Sequence, residues 1–216
     1  MAEERWISLR SIPLFADVSD GDLKAIADHL IERRLPRNTT IVEEGLPGDF
    51  MYVIREGRVK VTKLSEDGRE KILQFLDSGD FFGEMALLDS APRSATVKTL
   101  SSTRVLALSR AAFLDVLQSH PPIAMVVIRE LARRLRETDV QASALSFQRV
   151  EERTRGLLER LARETVDGRR ATPTLTHQQI ADMIGTSRET VTRVIQRLKQ
   201  DGWLTQDGKR YLVPDL

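Results

Sequence analysis

Residues 174–199 read TLTHQQIADMIGTSRETVTRVIQRLK. Thr176 with Gln179, and Thr186 with Glu189, are spaced as capping boxes, which predicts two helix starts ten residues apart. Gly185 supplies the turn between them. Ile180 and Ile184 on the first helix, and Val191, Val194, Ile195 and Leu198 on the second, recur at helical spacing and predict one shared apolar seam, with Ala181 small enough for a close crossing. Arg188, Glu189, Thr192 and Arg193 then fall on the outer side of the second helix, near its N-terminal end, where a recognition helix presents side chains to the major groove of DNA. Arginine donates two hydrogen bonds to guanine O6 and N7, and a carboxylate accepts from cytosine N4, so these residue types suit G·C-containing half-sites. The Glu189–Arg193 spacing is equally that of an ordinary i,i+4 pair on a solvated helix face.

Downstream, Trp203 to Val213 with Asp207-Gly208 at its middle predicts a hairpin wing. Its Lys209 and Arg210 are either phosphate contacts or plain surface charges. The net charge is only +1, but residues 148–216 hold 13 Lys+Arg against 10 Asp+Glu, leaving the rest of the chain at −2. The asymmetry is modest and agrees in sign with DNA as the partner. At 216 residues and 41% hydrophobic, the chain is long enough for two small domains. There is no cysteine, which excludes disulfides, thiolate-ligated zinc and cysteine-held iron–sulfur clusters. The charged start MAEERWISLR and the lack of any apolar run long enough for a span point to a cytoplasmic protein without a membrane partner. No HExxH, P-loop or nucleophilic cysteine is present, so no catalytic residue is assigned and no enzyme is expected.

Between about residues 39 and 108, short β-rich runs (TTIV, FMYVIR, RVKVTKL, KILQFL, SATVKTL, TRVLALS) alternate with turns at Gly45, Gly48, Gly57, Asp67-Gly68 and Gly79-Asp80. Closely spaced strands of this kind predict a jelly roll or barrel. Val59 and Val61 are expected on one strand face, with Lys60 and Thr62 opposite. A helix starting near Ser19 and carrying Leu23, Ile26, Ala27 and Leu30 precedes the barrel, and another, capped by Ser109 and carrying Phe113 and Leu117, follows it. The stretch FFGEMALLDSAPRSA, residues 81–95, breaks the strand rhythm. Gly83-Glu84 opens a short helical turn, and Pro92-Arg93-Ser94 lies within reach of it. A helix start, a guanidinium and a hydroxyl suit a phosphate, while Glu84 suits a ribose hydroxyl of the same ligand. The alternative is a surface loop in which Arg93 pairs with Glu84 or Asp89.

A long helix is predicted from about 122 to 147. Ala124, Ile128, Leu131, Leu135, Thr138, Ala142 and Leu145 alternate by four and three residues, a coiled-coil repeat that predicts parallel pairing with a second copy of the chain. The alternative is packing on the chain's own barrel. Thr138 weakens such a seam unless its hydroxyl finds a partner, which a bound ligand can supply.

Taken together, these residues resemble the Crp/Fnr family of bacterial transcription regulators, and among them the cyclic-AMP-responsive members, over nearly the whole chain. The resemblance implies an α+β fold: an N-terminal cyclic-nucleotide-binding β-roll of jelly-roll type (residues 1–121), a long dimerisation helix and hinge (122–147), and a C-terminal winged helix-turn-helix (148–216). Gly83-Glu84 with Arg93-Ser94-Ala95 is similar to the family's phosphate cassette, in which Arg and Ser hold the cyclic phosphate and Glu takes the ribose 2′-hydroxyl. ARRLRETD, residues 132–139, is similar to the part of the dimerisation helix that reaches the adenine, although this chain has Thr138-Asp139 where the cyclic-AMP-responsive members have Thr-Ser. The implied effector set is Gly83, Glu84, Met85, Arg93, Ser94, Ala95, Thr138 and Asp139. SRETVTR, residues 187–193, is similar to a recognition helix for TGTGA-type half-sites, and the implied DNA set is Thr176, Ser187, Arg188, Glu189, Thr190, Thr192, Arg193 and Lys209. The expectation is a homodimeric regulator activated by cyclic AMP, with RNA polymerase as a further partner and no metal or haem, since His29, His120 and His177 lie outside the cassette and seam. Two other readings stay open: a regulator of the same architecture that is constitutively active, and a cyclic-nucleotide-binding regulatory subunit of an enzyme or channel.

Overall fold

The computed structural model describes residues 9–166 and 169–214. They form two compact units, one ending at Arg134 and the other beginning at Leu135.

In the first unit, helix α1 (Asp20–His29) starts where Ser19 Oγ accepts from the Asp22 N–H at 3.3 Å, and it buries Leu23 and Ile26. Eight strands follow: β1 (Ile31–Leu35), β2 (Thr40–Val42), β3 (Phe50–Glu56), β4 (Val59–Leu64), β5 (Glu70–Leu76), β6 (Phe81–Phe82), β7 (Thr96–Thr99) and β8 (Thr103–Ser109). They make two antiparallel sheets, ordered β1-β8-β3-β6 and β2-β7-β4-β5, the double-sheet roll expected from the strand spacing. Helix α2 (Glu84–Leu88) interrupts the strands after β6, and α3 (Arg110–Ser119), capped by Ser109, follows β8.

The core explains the strand patterns. Tyr52, Ile54, Val105 and Ala107 of one sheet meet Val59, Val61, Val97 and Leu76 of the other. The intervening residues of β3 and β8, Met51, Val53, Leu106 and Leu108, pack instead with Leu23, Ile26, Phe113 and Val116 of the helices. Both faces of these strands are buried, so FMYVIR and RVLALS read as near-continuous apolar runs, whereas the half-exposed β4 alternates. Thr62 departs from the expected alternation. It is buried where the β4–β5 register shifts between Val61 and Thr62, with the extra residue on β5. Strand β1 also lies ahead of the residues where strands were expected. Its IERRL sequence hides it: Glu32, Arg33 and Arg34 give no apolar alternation, and its partner β8 supplies the order.

Helix α4 spans Pro121–Phe147. Up to Arg134 it belongs to the first unit, where Ile123 and Val127 are buried in the core and Leu131 packs partly against it. Ile128, by contrast, is 55% exposed. Packing on the chain's own core therefore takes one face of this helix, and Leu131, expected in the outward seam, turns partly toward that core. In the second unit Leu135 is 62% exposed and Leu145 48%, with Thr138, Asp139 and Ala142 also exposed.

The second unit continues with α5 (Val150–Leu161), β9 (Glu164–Val166), β10 (Arg169–Ala171), α6 (His177–Ile184), α7 (Arg188–Gln200), β11 (Thr205–Asp207) and β12 (Arg210–Val213), the last two forming the expected wing. The sheet order is β11-β12-β10-β9. Strands β9 and β10 had no readable sequence pattern, since three-residue strands of mostly polar side chains carry no period. Leu157, Leu158, Ile180, Val191, Ile195, Leu198, Tyr211 and Val213 are all buried in this unit.

Candidate nucleotide and DNA sites

The segment between β6 and β7 turns at Gly83, whose φ of 86° is left-handed and open to glycine at little cost. Arg93 folds back across it. Its guanidinium donates to the Gly83 carbonyl at 2.7 Å and the Phe50 carbonyl at 2.6 Å, while its own backbone pairs with the turn at Gly45 and Leu46. Neither Glu84 nor Asp89 is its partner. Burial pulls the Arg93 pKa down from its ordinary value, opposed by nearby Tyr52, Asp49 and Glu84. Ser94 is exposed, with its hydroxyl 3.8 Å from the Met85 sulfur, and Ala95 seats in the core between the sheets. The structure thus brings together Gly83, Glu84, Met85, Arg93, Ser94 and Ala95, while Thr138 and Asp139 lie exposed in the second unit.

Glu84 is only 2% exposed and takes a 3.1 Å ion pair from Arg134 Nη1 through Oε1. Its Oε2 is buried with no hydrogen-bond partner. Burial pushes the Glu84 carboxyl up from the usual range, and Arg134 opposes that shift. A buried carboxylate oxygen without a donor is costly, so this atom is the unsatisfied member of the cluster. Arg134 also donates to the Phe81 carbonyl at 2.7 Å and to Glu130 at 2.7 Å, and lies over the Phe81 ring. Sequence reasoning missed this residue, because a lone arginine among ARRLRE is indistinguishable from its solvated neighbours. Arg110 was missed for the same reason. It donates to the carbonyls of Gly48, Ala86 and Leu87, satisfying the end of α2 and holding the glycine turn against it.

In the second unit, Thr176 and Gln179 form the expected capping box, and Gly185, at φ 69°, ends α6. The start of α7 differs from expectation by one residue. The Thr186 N–H still bonds back to the Ala181 carbonyl, so Thr186 closes the first helix, and Ser187 Oγ caps the second by accepting from the Thr190 N–H at 3.1 Å. Glu189 consequently sits one position too early to close a box, and its carboxyl is held down by its own backbone N–H and by Ser187. Arg188, Glu189 and Arg193 are exposed, the last with Nη2 at 3.4 Å from the Thr190 hydroxyl. The Thr192 hydroxyl is committed within the unit, to His177 Nδ1 and the Arg188 carbonyl. On the wing, Lys209 is exposed, whereas Arg210 pairs with Glu164 and donates to the Thr172 carbonyl.

Comparison with known proteins bears on both sites. Residues 32–120 match the cyclic nucleotide-binding domain, and residues 152–216 the Crp-like helix-turn-helix domain. The chain is 32% identical over 206 residues to a CRP-like cAMP-activated global transcriptional regulator of Mycobacterium tuberculosis, covering 94% of this chain and 92% of that protein. It is 32% identical to the cyclic AMP receptor protein of Thermus thermophilus, covering 90% and 88%. Its fold is similar to that of the c-di-GMP responsive global regulator CLP of Xanthomonas campestris, with a TM-score of 0.76, 27% identity, and 92% and 100% of the two chains covered. A nucleotide-binding roll and a DNA-reading helix pair on one chain, matched by relatives over 90% or more of its length, make this protein a member of the Crp/Fnr family of DNA-binding transcription regulators.

Proposed function

We propose that the chain acts as a homodimer that is switched by cyclic AMP and then binds palindromic TGTGA-type sites. The observation that supports this most directly is the donorless Glu84 Oε2, buried beside the Arg93 turn. Of the five N–H donors of Arg93, two go to carbonyls, leaving the others for a cyclic phosphate, with Ser94 beside them. A ribose hydroxyl donating to Glu84 Oε2 shares the carboxylate whose Oε1 Arg134 holds, and Arg134 stands on the long helix. Nucleotide binding therefore adds a partner to the carboxylate that anchors Arg134, a residue on the element that would pair with a second copy. A hundredfold change in DNA affinity requires the nucleotide to prefer the active arrangement by about 2.7 kcal/mol. Thr138 and Asp139 are the proposed base-reading pair. Transcription activation through RNA polymerase, a cytoplasmic location, an absence of catalysis, and function without metal, haem or iron–sulfur cluster complete the reading, as does a division at 1–121, 122–147 and 148–216.

One observation favours a second reading, constitutive activity. Arg93 already satisfies two carbonyls and Glu84 already has a cation, so the cassette is largely self-satisfied without ligand. Operator affinity measured without nucleotide and with cyclic AMP, cyclic GMP or c-di-GMP separates the two. At least tenfold tightening by cyclic AMP, or about 1.4 kcal/mol, is expected. Equal affinity in all conditions establishes the constitutive reading.

At the DNA surface, Arg193→Ala should cost about 1–3 kcal/mol at the cognate duplex and relax base preference at one position per half-site. Competition titration against single-base variants checks this. A uniform loss at every variant would reassign Arg193 to phosphate.

A further inference from the structure

We propose that His177 makes DNA binding by this chain proton-linked, its charged imidazolium providing a phosphate contact that the neutral ring lacks. In the tautomer that keeps the 2.9 Å bond from Thr192 Oγ1 to the Arg188 carbonyl, the hydroxyl accepts from His177 Nδ1, 2.8 Å away. The neutral ring therefore carries its hydrogen on Nδ1, and Nε2 is the atom that gains the second proton. Nδ1 remains a donor in both states. Protonation adds a charge at the first residue of α6 without breaking the bond that ties α6 to the recognition helix.

The surroundings give the sign. Partial burial holds the free ring's pKa below its ordinary value, and the charged groups that face His177, Arg188 and Lys199, both cations on α7, push it the same way. The wing approaches through backbone, the Leu175 N–H donating to the Lys209 carbonyl at 3.0 Å, and on α6 itself the Asp182 carboxylate accepts from Gln178 at 2.7 Å. A free protein near neutral pH thus presents an uncharged ring. The first helix of a helix-turn-helix crosses the DNA backbone, whose phosphates oppose the field of those cations and raise the ring's pKa. The complex then binds more protons than the free protein, and affinity rises as pH falls toward the free-ring value, which lies below about 6.5. The same lowered value means that acid protonation disfavours the folded domain, so binding is compared where circular dichroism reports it fully folded.

This inference rests only on DNA binding by the helix-turn-helix and not on nucleotide response or site sequence. The test is fluorescence anisotropy with a labelled duplex at fixed salt, between about pH 8 and pH 6, on the full chain. Wild type should tighten by about three- to tenfold over that range. His177→Gln retains a donor for Thr192 but cannot charge, and should be flat and weak. His177→Arg should be flat and tight. A scrambled duplex should give the same slope as the symmetric one, because phosphates carry no sequence; a normal slope without sequence preference would sink the TGTGA reading and leave this one standing. A flat wild-type profile, or an undiminished slope in His177→Gln, overturns the proposal.

Discussion

Leu135→Glu should leave the chain folded and abolish the proposed dimer. The side chain is 62% exposed within one chain, so the substitution removes no internal packing, and the midpoint of thermal unfolding measured at concentrations where both proteins are monomeric should be unchanged. In a symmetric pair each substitution acts twice. Losing two buried leucines costs about 3–6 kcal/mol, before the repulsion of two apposed carboxylates. Dimer dissociation should rise by about 10²–10⁴-fold, read by sedimentation equilibrium, with operator affinity falling in parallel because two half-sites are no longer bound together. A dimer of wild-type strength would remove Leu135 from the seam. The matching change at Leu131 is a poorer probe, since that side chain packs partly against its own core and a charge there also destabilises the first unit.

Arg93→Ala should eliminate nucleotide response. Removing the cation that faces a bound phosphate costs about 2–5 kcal/mol, or roughly 30-fold to several thousandfold in nucleotide affinity by isothermal titration calorimetry. The carbonyls of Gly83 and Phe50 lose their donors at the same time, so a stability loss of about 1–3 kcal/mol should accompany the change. Nucleotide-free operator binding should persist, because Arg93 belongs to the first unit and the recognition helix to the second. Unchanged nucleotide affinity would discard the cassette as the effector site.

Much of this was legible in residue order because the relevant interactions are local. Capping by Ser19, Ser109 and Thr176, the turn at Gly185, and the seam of Ile180, Ile184, Val191, Ile195 and Leu198 all depend on neighbours within a few positions. The reading of α7 slipped by one residue because Thr186 and Ser187 are both good caps, and only the bond from the Thr186 N–H back to Ala181 decides between them. Glu84 and Arg93 were recognisable as a pair, but not that each has a different partner.

By itself, the sequence determined the two functional modules, their order, and the residue types available to nucleotide and DNA, since composition, period and turn chemistry are written along the chain. Tertiary structure decided what depends on residues distant in sequence. It gave β1 its partner, buried Thr62 beside a register shift, and divided the long helix between an inner face at Ile123 and Val127 and an outer face at Ile128. It also brought Arg134 to Glu84 across fifty residues and committed Thr192 to His177. Side chains so far apart in sequence bear no local mark of their pairing, because what joins them is the burial of apolar surface elsewhere and the need of each buried polar group for a partner.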